Sequence, residues 1–163
     1  MANINFQPSI KQDKAWQYLT DDVTSFVGYG GSARSGKSYL GTYWLTIMAL
    51  SYPDTGWGLG RKELKNLKRT TLVTLFKVFK QSGLEKDIHY TYNQQNQIIR
   101  FNNNSEIFLI DMAYQPSDPL YTRFGGLELT GAMVDESNES SYTAIEILFS
   151  RCGWRNNNKY NLS

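Results

Sequence analysis

The 163-residue sequence predicts an α/β fold, a mainly parallel sheet flanked by helices with an antiparallel strand addition, on three observations. An apolar stretch, Thr24 to Gly30, leads through a glycine-rich turn into a helical pattern over Lys37 to Ser51. A second pair follows, a short strand over Gly56 to Arg61 and a helix from about Glu63 to Gln81. A third apolar stretch, Leu127 to Val134, runs straight into two carboxylates, Asp135 and Glu136. Strands that alternate with helices in this way pair in parallel.

Each element has its own signal. Residues 24–30 (TSFVGYG) read as a short buried strand, and the helix after it must stop before Pro53, because the residue ahead of a proline is pushed out of the helical region. In the second helix Leu64, Leu67, Leu72, Leu75 and Phe79 recur at helical spacing, and Ser82-Gly83 closes it as a C-cap. His89 to Tyr92, Gln97 to Phe101 and Glu106 to Asp111 read as a strand meander, with asparagine-rich turns at 93–96 and 102–105. Tyr142 to Arg151 reads as a short helix ended by Gly153, and the tail 155–163 shows no core pattern beyond Tyr160 and Leu162. With no repeat and no linker, residues 1–163 are expected to form a single domain.

Composition excludes several classes. Hydrophobic residues make up 40% and charged residues 20%, the balance of a soluble globular chain. No apolar run approaches a membrane span and the N-terminus lacks a signal-peptide pattern, so a cytoplasmic protein is expected. Cys152 is the only cysteine, which rules out an internal disulfide or a thiolate zinc cluster; it reads as a buried small hydrophobe. A net charge of +2 is too mild to announce nucleic-acid binding. The basic residues that do gather, Lys62, Lys65, Lys68, Arg69, Lys77 and Lys80, lie on the second predicted helix. They read as a solvated face, with a DNA-facing or subunit-facing stripe as the sharper alternative. His89, the only histidine, lies in the meander and reads as structural.

The chemistry is concentrated in two motifs. Gly31, Ser32, Ala33, Arg34, Ser35, Gly36, Lys37 and Ser38 match G-x-x-x-x-G-K-[ST] at every fixed position, after a predicted strand and opening a predicted helix. Such a loop wraps its backbone N–H groups around phosphates, and the helix N-terminus adds partial positive charge. A P-loop NTPase that binds ATP is therefore expected, with Lys37 reaching the β- and γ-phosphates and the Ser38 hydroxyl ligating Mg²⁺. The second motif, Leu129 to Glu136, is an apolar strand ending in Asp-Glu. Asp135 would hold Mg²⁺, while Glu136, on the other side of the pleat, would orient and deprotonate the attacking water. Glu139 is a competing base, but its polar surroundings from Ser137 to Ser141 favour a surface role.

Four segments together give the chain its resemblance to the ATPase part of phage large terminase subunits: Phe6 to Gln12, Gly30 to Ser38, Gly60-Arg61-Lys62, and Arg123-Phe124-Gly125-Gly126 through Asp135-Glu136. The resemblance implies a motor that couples ATP hydrolysis to translocation of double-stranded DNA into a procapsid. By position, Gln12 resembles the family's adenine-contacting glutamine, against the plainer reading of a surface glutamine. Arg34 resembles the arginine that terminases place inside the loop to sense the γ-phosphate, against a solvent-facing arginine. Arg123 resembles an arginine offered to a neighbouring subunit's nucleotide, against an ordinary surface ion pair, and whether such a residue acts in cis or in trans stays open.

The resemblance further implies a homo-oligomeric ring when full length, the portal protein and small terminase subunit as partners, and a place in the infected bacterial cytoplasm, transiently at the procapsid portal. Terminases continue into a strand with a coupling motif and a nuclease domain. This chain ends before both, so a C-terminally truncated ATPase domain without nuclease activity is expected. Two other functions fit the same motifs, another P-loop ATPase of the helicase-like kind and a nucleotide-dependent assembly module. The Asp135-Glu136 pair speaks against the latter, because a pure switch needs no water-activating carboxylate.

Overall fold

The computed structural model describes residues 7–31 and 36–162. Helix α1 (Ile10–Thr20) opens with a capping box: Ser9 Oγ accepts from Gln12 N at 3.4 Å and Gln12 Oε1 accepts from Ser9 N at 2.9 Å. Its tie to the body is Trp44 Nε1, which donates to the Leu19 carbonyl at 3.0 Å from the middle of α2 (Lys37–Ser51). Strand β1 (Gly56–Arg61) follows, and then one continuous helical run with an internal irregularity. This run comprises α3 (Leu64–Asn66), a π-helical turn (Leu67–Thr71) and α4 (Leu72–Gln81). Gly83, at φ 73°, closes α4 with the bonds Gly83 N to Lys80 O and Leu84 N to Phe79 O, the αL ending that glycine alone adopts without strain.

Strands β2 (Tyr90–Asn93), β3 (Ile98–Phe101), β4 (Glu106–Asp111) and β5 (Gly131–Val134) complete one five-stranded sheet in the order β2-β3-β4-β1-β5. β1 runs parallel to β4 on one side and to β5 on the other, while β3 adds antiparallel to β4 and β2 antiparallel to β3. The period-2 alternation of strands sorts the side chains into two cores. Trp57 and Leu59 of β1 and Ile107 and Leu109 of β4 pack with Leu45, Ala49, Leu75 and Phe79 of α2 and α4. On the opposite face Ile110 and Met112 pack with Phe124, Leu129 and helix α5 (Tyr142–Phe149) through Ala144 and Leu148. Among the described residues no helix is long and apolar enough to cross a membrane.

Several elements follow the sequence reading residue for residue, notably α2, β1 and β4; others depart from it. Thr24 to Gly30 is not a strand: Ser25 to Gly30 make no backbone hydrogen bond among the described residues, and among them β5 pairs only with β1. The apolar signal there is met by side-chain packing, Phe26 lying edge-on to Phe149 at 5.3 Å, while Gly28 and Gly30 weaken any strand tendency. The strand expected over Leu127 to Val134 shortens to β5. Leu129 instead exchanges backbone bonds with Arg151 and Trp154, so its pairing goes to the segment after α5. That helix ends at Phe149 rather than Arg151.

The tail is docked, not loose. Arg155 Nη1 reaches Glu106 Oε2 at 2.6 Å, Asn157 Nδ2 donates to the Thr130 carbonyl at 3.0 Å, and Tyr160 Oη donates to the Pro53 carbonyl at 2.9 Å within and beside the short helix α6 (Asn157–Tyr160). Its anchors are polar, which is why no apolar pattern announced them. Cys152 is half-buried rather than buried as expected, its Sγ 3.8 Å from the Leu148 carbonyl, and the burial it has pushes its thiol up to about 12.

Gly131 is a close-packed point where the sheet meets the α2 face. A Cβ there would lie 2.8 Å from Cζ3 of the buried Trp57 ring, which is itself held by a 2.8 Å bond from Nε1 to Thr55 Oγ1. Gly131→Ala should therefore lower the unfolding free energy by about 1–3 kcal/mol, the usual cost of overpacking. Chemical denaturation followed by tryptophan fluorescence checks this, and an unchanged midpoint would mean that the Trp57 ring has room to move.

Candidate functional site

The three parallel strands end on one edge of the sheet, which brings Arg61, Asp111 and Asp135 to the same rim. There the chain after the glycine loop enters α2. Gly36 is its N-cap with φ 73° and ψ 18°, in the left-handed region, and a Cβ at this position would also meet Gln12 Nε2 at 2.5 Å. Lys37, the first helical residue, turns its Nζ back to the Gly31 carbonyl at 2.7 Å, spanning the loop. Ser38 Oγ lies 2.9 Å and 3.0 Å from the two carboxylate oxygens of Asp135. The two motifs, 97 residues apart, therefore meet side chain to side chain.

Asp135 is buried and its backbone N–H continues the β1 ladder by donating to the Gly60 carbonyl at 2.9 Å. Oδ2 accepts a further hydrogen bond, from Thr71 Oγ1 at 2.6 Å, and Oδ1 one from Glu136 N at 3.2 Å. Glu136 does not sit on the other side of the pleat as expected. The strand ends at Val134, and Glu136 has φ 48° and ψ 52°, a left-handed conformation that a non-glycine residue holds only when its surroundings over-determine it. Glu139 is exposed and pairs with Arg61, Oε2 to Nε 3.5 Å, in agreement with the surface role read for it. Arg61 Nη1 also donates to Thr70 Oγ1 at 2.6 Å.

Gln12 is buried beside the loop, with its amide already engaged: Oε1 accepts from Ser9 N, and Nε2 donates to the Gly36 carbonyl at 3.4 Å. Ser32, Ala33, Arg34 and Ser35 lie outside the described residues, as does Phe6 of the leading motif. Arg123 stands apart from the Ser38–Asp135 contact. Its Nη1 meets Asp118 Oδ2 at 2.9 Å, its Nη2 donates to the carbonyls of Asp111 and Ala113, and its guanidinium lies 4.9 Å and 5.0 Å from the ring centres of Tyr121 and Phe124. The bonds from the Thr122 hydroxyl, above all, and from Arg123 bring the Asp118 carboxyl down to about 2, so this anchor stays ionised across the working pH range. The basic residues of the second helix, Lys65, Arg69, Lys77 and Lys80, are exposed, as a solvated face requires.

The site suits a hard divalent ion of the magnesium type. Mg²⁺ keeps several waters and takes one or two protein oxygens besides phosphate. A serine hydroxyl and a single buried carboxylate within hydrogen-bond distance supply that donor set at the start of α2. Sequence reasoning missed Thr71, Thr70 and Arg61 as neighbours of the site. Only the helical register of 64–81 could have pointed to the threonines, and a π-helical turn shifts that register.

No protein-family profile matches the chain, and no curated protein matches it in sequence. Solved structures do. Three crystal structures of the large terminase from a thermophilic bacteriophage are similar to it, with TM-scores of 0.69, 0.66 and 0.65, each at 18% identity. They cover 91%, 90% and 90% of this chain but only 37%, 35% and 35% of the terminase, so the chain spans a little over a third of that protein's length. The third of them is a complex with ATP-γ-S. At this level of identity the likeness is one of fold, and in fold the chain is similar to a region of a phage large terminase, the family its motifs resemble.

Proposed function

We propose that this chain is the ATP-hydrolysing motor domain of a DNA-packaging terminase. The observation that carries the reading is the meeting of the Ser38 hydroxyl with the Asp135 carboxylate at the start of α2, where a phosphate loop and an acidic strand end combine. The loop N–H groups and the α2 N-terminus hold the phosphates, and Lys37 leaves the Gly31 carbonyl to neutralise the β- and γ-oxygens. Ser38 and Asp135 hold Mg²⁺, which when bound screens the charge of the phosphate oxygens. Glu136 takes the proton of the attacking water, and the strained backbone it holds just past the strand end is of the kind that gathers at active sites. Gln12 reads the adenine edge with its remaining N–H after capping α1. Arg34 senses the γ-phosphate.

The wider assignments come from the terminase likeness: double-stranded DNA as the track, a ring of subunits, and the portal protein and small terminase subunit as partners. Arg123 serves a neighbouring subunit's nucleotide only after it releases Asp118 and the two carbonyls it holds within its own chain.

Three measurements test this reading. Lys37→Ala should abolish binding of a fluorescent ATP analogue and turnover together, because the ammonium acts in both ground and transition states. Turnover within a few-fold of wild type would sink the phosphate-loop assignment. Glu136→Gln should keep analogue binding while hydrolysis falls by about 10²; equal loss of both would make Glu136 a structural or metal residue. Arg123→Ala should lower the denaturant midpoint of the unassembled chain, since it strips a charged hydrogen-bond partner from Asp118 and frees the carbonyls of Asp111 and Ala113. An unchanged midpoint would leave the guanidinium at the disposal of a neighbour from the start.

A further inference from the structure

The π-helical turn Leu67–Thr71 interrupts an otherwise regular helix, and such turns concentrate at functional sites. Its defining bond runs from Leu72 N to the Leu67 carbonyl, five residues back. This has a consequence for Thr71. Helical threonines elsewhere in the chain turn their hydroxyls onto the carbonyl four residues back: Thr42 to Ser38, Thr46 to Thr42, Thr70 to Asn66 and Thr74 to Thr70. Thr71 does not. The widened turn carries its hydroxyl elsewhere: it donates to Asp135 Oδ2 at 2.6 Å, 64 residues away and just past the end of β5. Thr71 is 1% exposed and Asp135 4%, so no water competes readily for this bond.

We infer that Thr71 is a positioning residue for Asp135. The ATPase reading above underlies this inference. Asp135 has two oxygens and a carboxylate that would otherwise rotate about its last bond. Thr71 pins Oδ2 from the helix side and Glu136 N holds Oδ1, while the Ser38 hydroxyl lies within 3.0 Å of both oxygens. One oxygen is thereby kept facing the place where Ser38 and the phosphates converge. The neighbouring Thr70 holds the turn itself in register, its Oγ1 accepting from Arg61 Nη1 at 2.6 Å at the end of β1. The widened turn thus presents two consecutive hydroxyls to the ends of two adjacent strands. Partners that orient a metal-binding carboxylate change metal affinity by about 10- to 100-fold when removed.

The test is an equilibrium titration of the 163-residue chain with a fluorescent ATP analogue, first in excess chelator and then with rising Mg²⁺. Thr71→Val, which keeps the shape and removes the hydroxyl, should raise the Mg²⁺ concentration at half-maximal enhancement by about tenfold or more. Its affinity for the analogue in chelator should stay within about twofold of wild type, and Thr71→Ser should restore the Mg²⁺ midpoint to within about threefold. Thr71→Ala is read alongside in case the valine variant folds poorly. A wild-type midpoint in either hydroxyl-free variant, or a serine variant as impaired as the valine one, would overturn the inference. So would folding of the serine variant when neither hydroxyl-free variant folds, because Thr71 would then be purely structural. Failure of the wild-type chain itself to bind the analogue would instead overturn the ATPase reading, which keeps the two failures apart.

Discussion

The contact between Ser38 and Asp135 depends on almost every packing decision in the molecule. Asp135 reaches its place because β5 pairs with β1 in parallel register, Gly60 opposite Val134, and because the ladder continues one residue further through Asp135 N. Ser38 reaches it because α2 crosses the same face at close range, where a Cβ on Gly41 would lie 2.5 Å from Met133 Sδ. A bulkier residue there would push the helix, and with it the hydroxyl, away from the carboxylate. The helical run 64–81 then closes the third side by packing Leu67, Leu72, Leu75 and Phe79 into the same core. Hydrophobic burial supplies the stability, and the polar site is placed by the geometry that burial dictates.

A different kind of fastening holds the opposite end of the sheet. Glu106, at the start of β4, is buried and accepts from Arg100 Nε at 2.9 Å and from Arg155 Nη1 at 2.6 Å. Burial alone would push its carboxyl up, but the hydrogen bonds from the two arginines outweigh it and hold the group below its ordinary value. The stabilisation is present above the unfolded carboxylate value and fades as acid protonates Glu106 in the folded chain. Such buried pairs contribute more to placement than to stability. Here they join the antiparallel addition, the central strands and the tail into one body.

Much of this was legible in the sequence, and the misses have physical causes. Lys37–Ser51 and Glu106–Asp111 carry dense apolar patterns and Gly56–Arg61 a sparse one, Trp57 and Leu59 between glycines, and the structure keeps all three limits. Helix α1 carries no such stripe, since only Gln12 and Ala15 are buried in it, and its capping box of Ser9 and Gln12 went unread. The segment before the phosphate loop misled because its aromatic and β-branched residues satisfy packing and strand pairing equally well, and local sequence does not say which. Of the site, Ser38 and Asp135 were legible as motifs and the structure joins them. Thr71 was not, because a helical register read from spacing assumes 3.6 residues per turn throughout.

Glu136 sits where the backbone favours glycine or asparagine, and a side chain with a Cβ costs roughly 1 kcal/mol there. Stability alone would thus favour erasing this carboxylate, since a glycine in its place relaxes the turn. On the function proposed above, the position is a small conflict between folding and chemistry, resolved in favour of chemistry. Under that proposal, substitutions chosen only to harden the protein against heat would drift toward an inert, sturdier molecule, and they would begin at this residue.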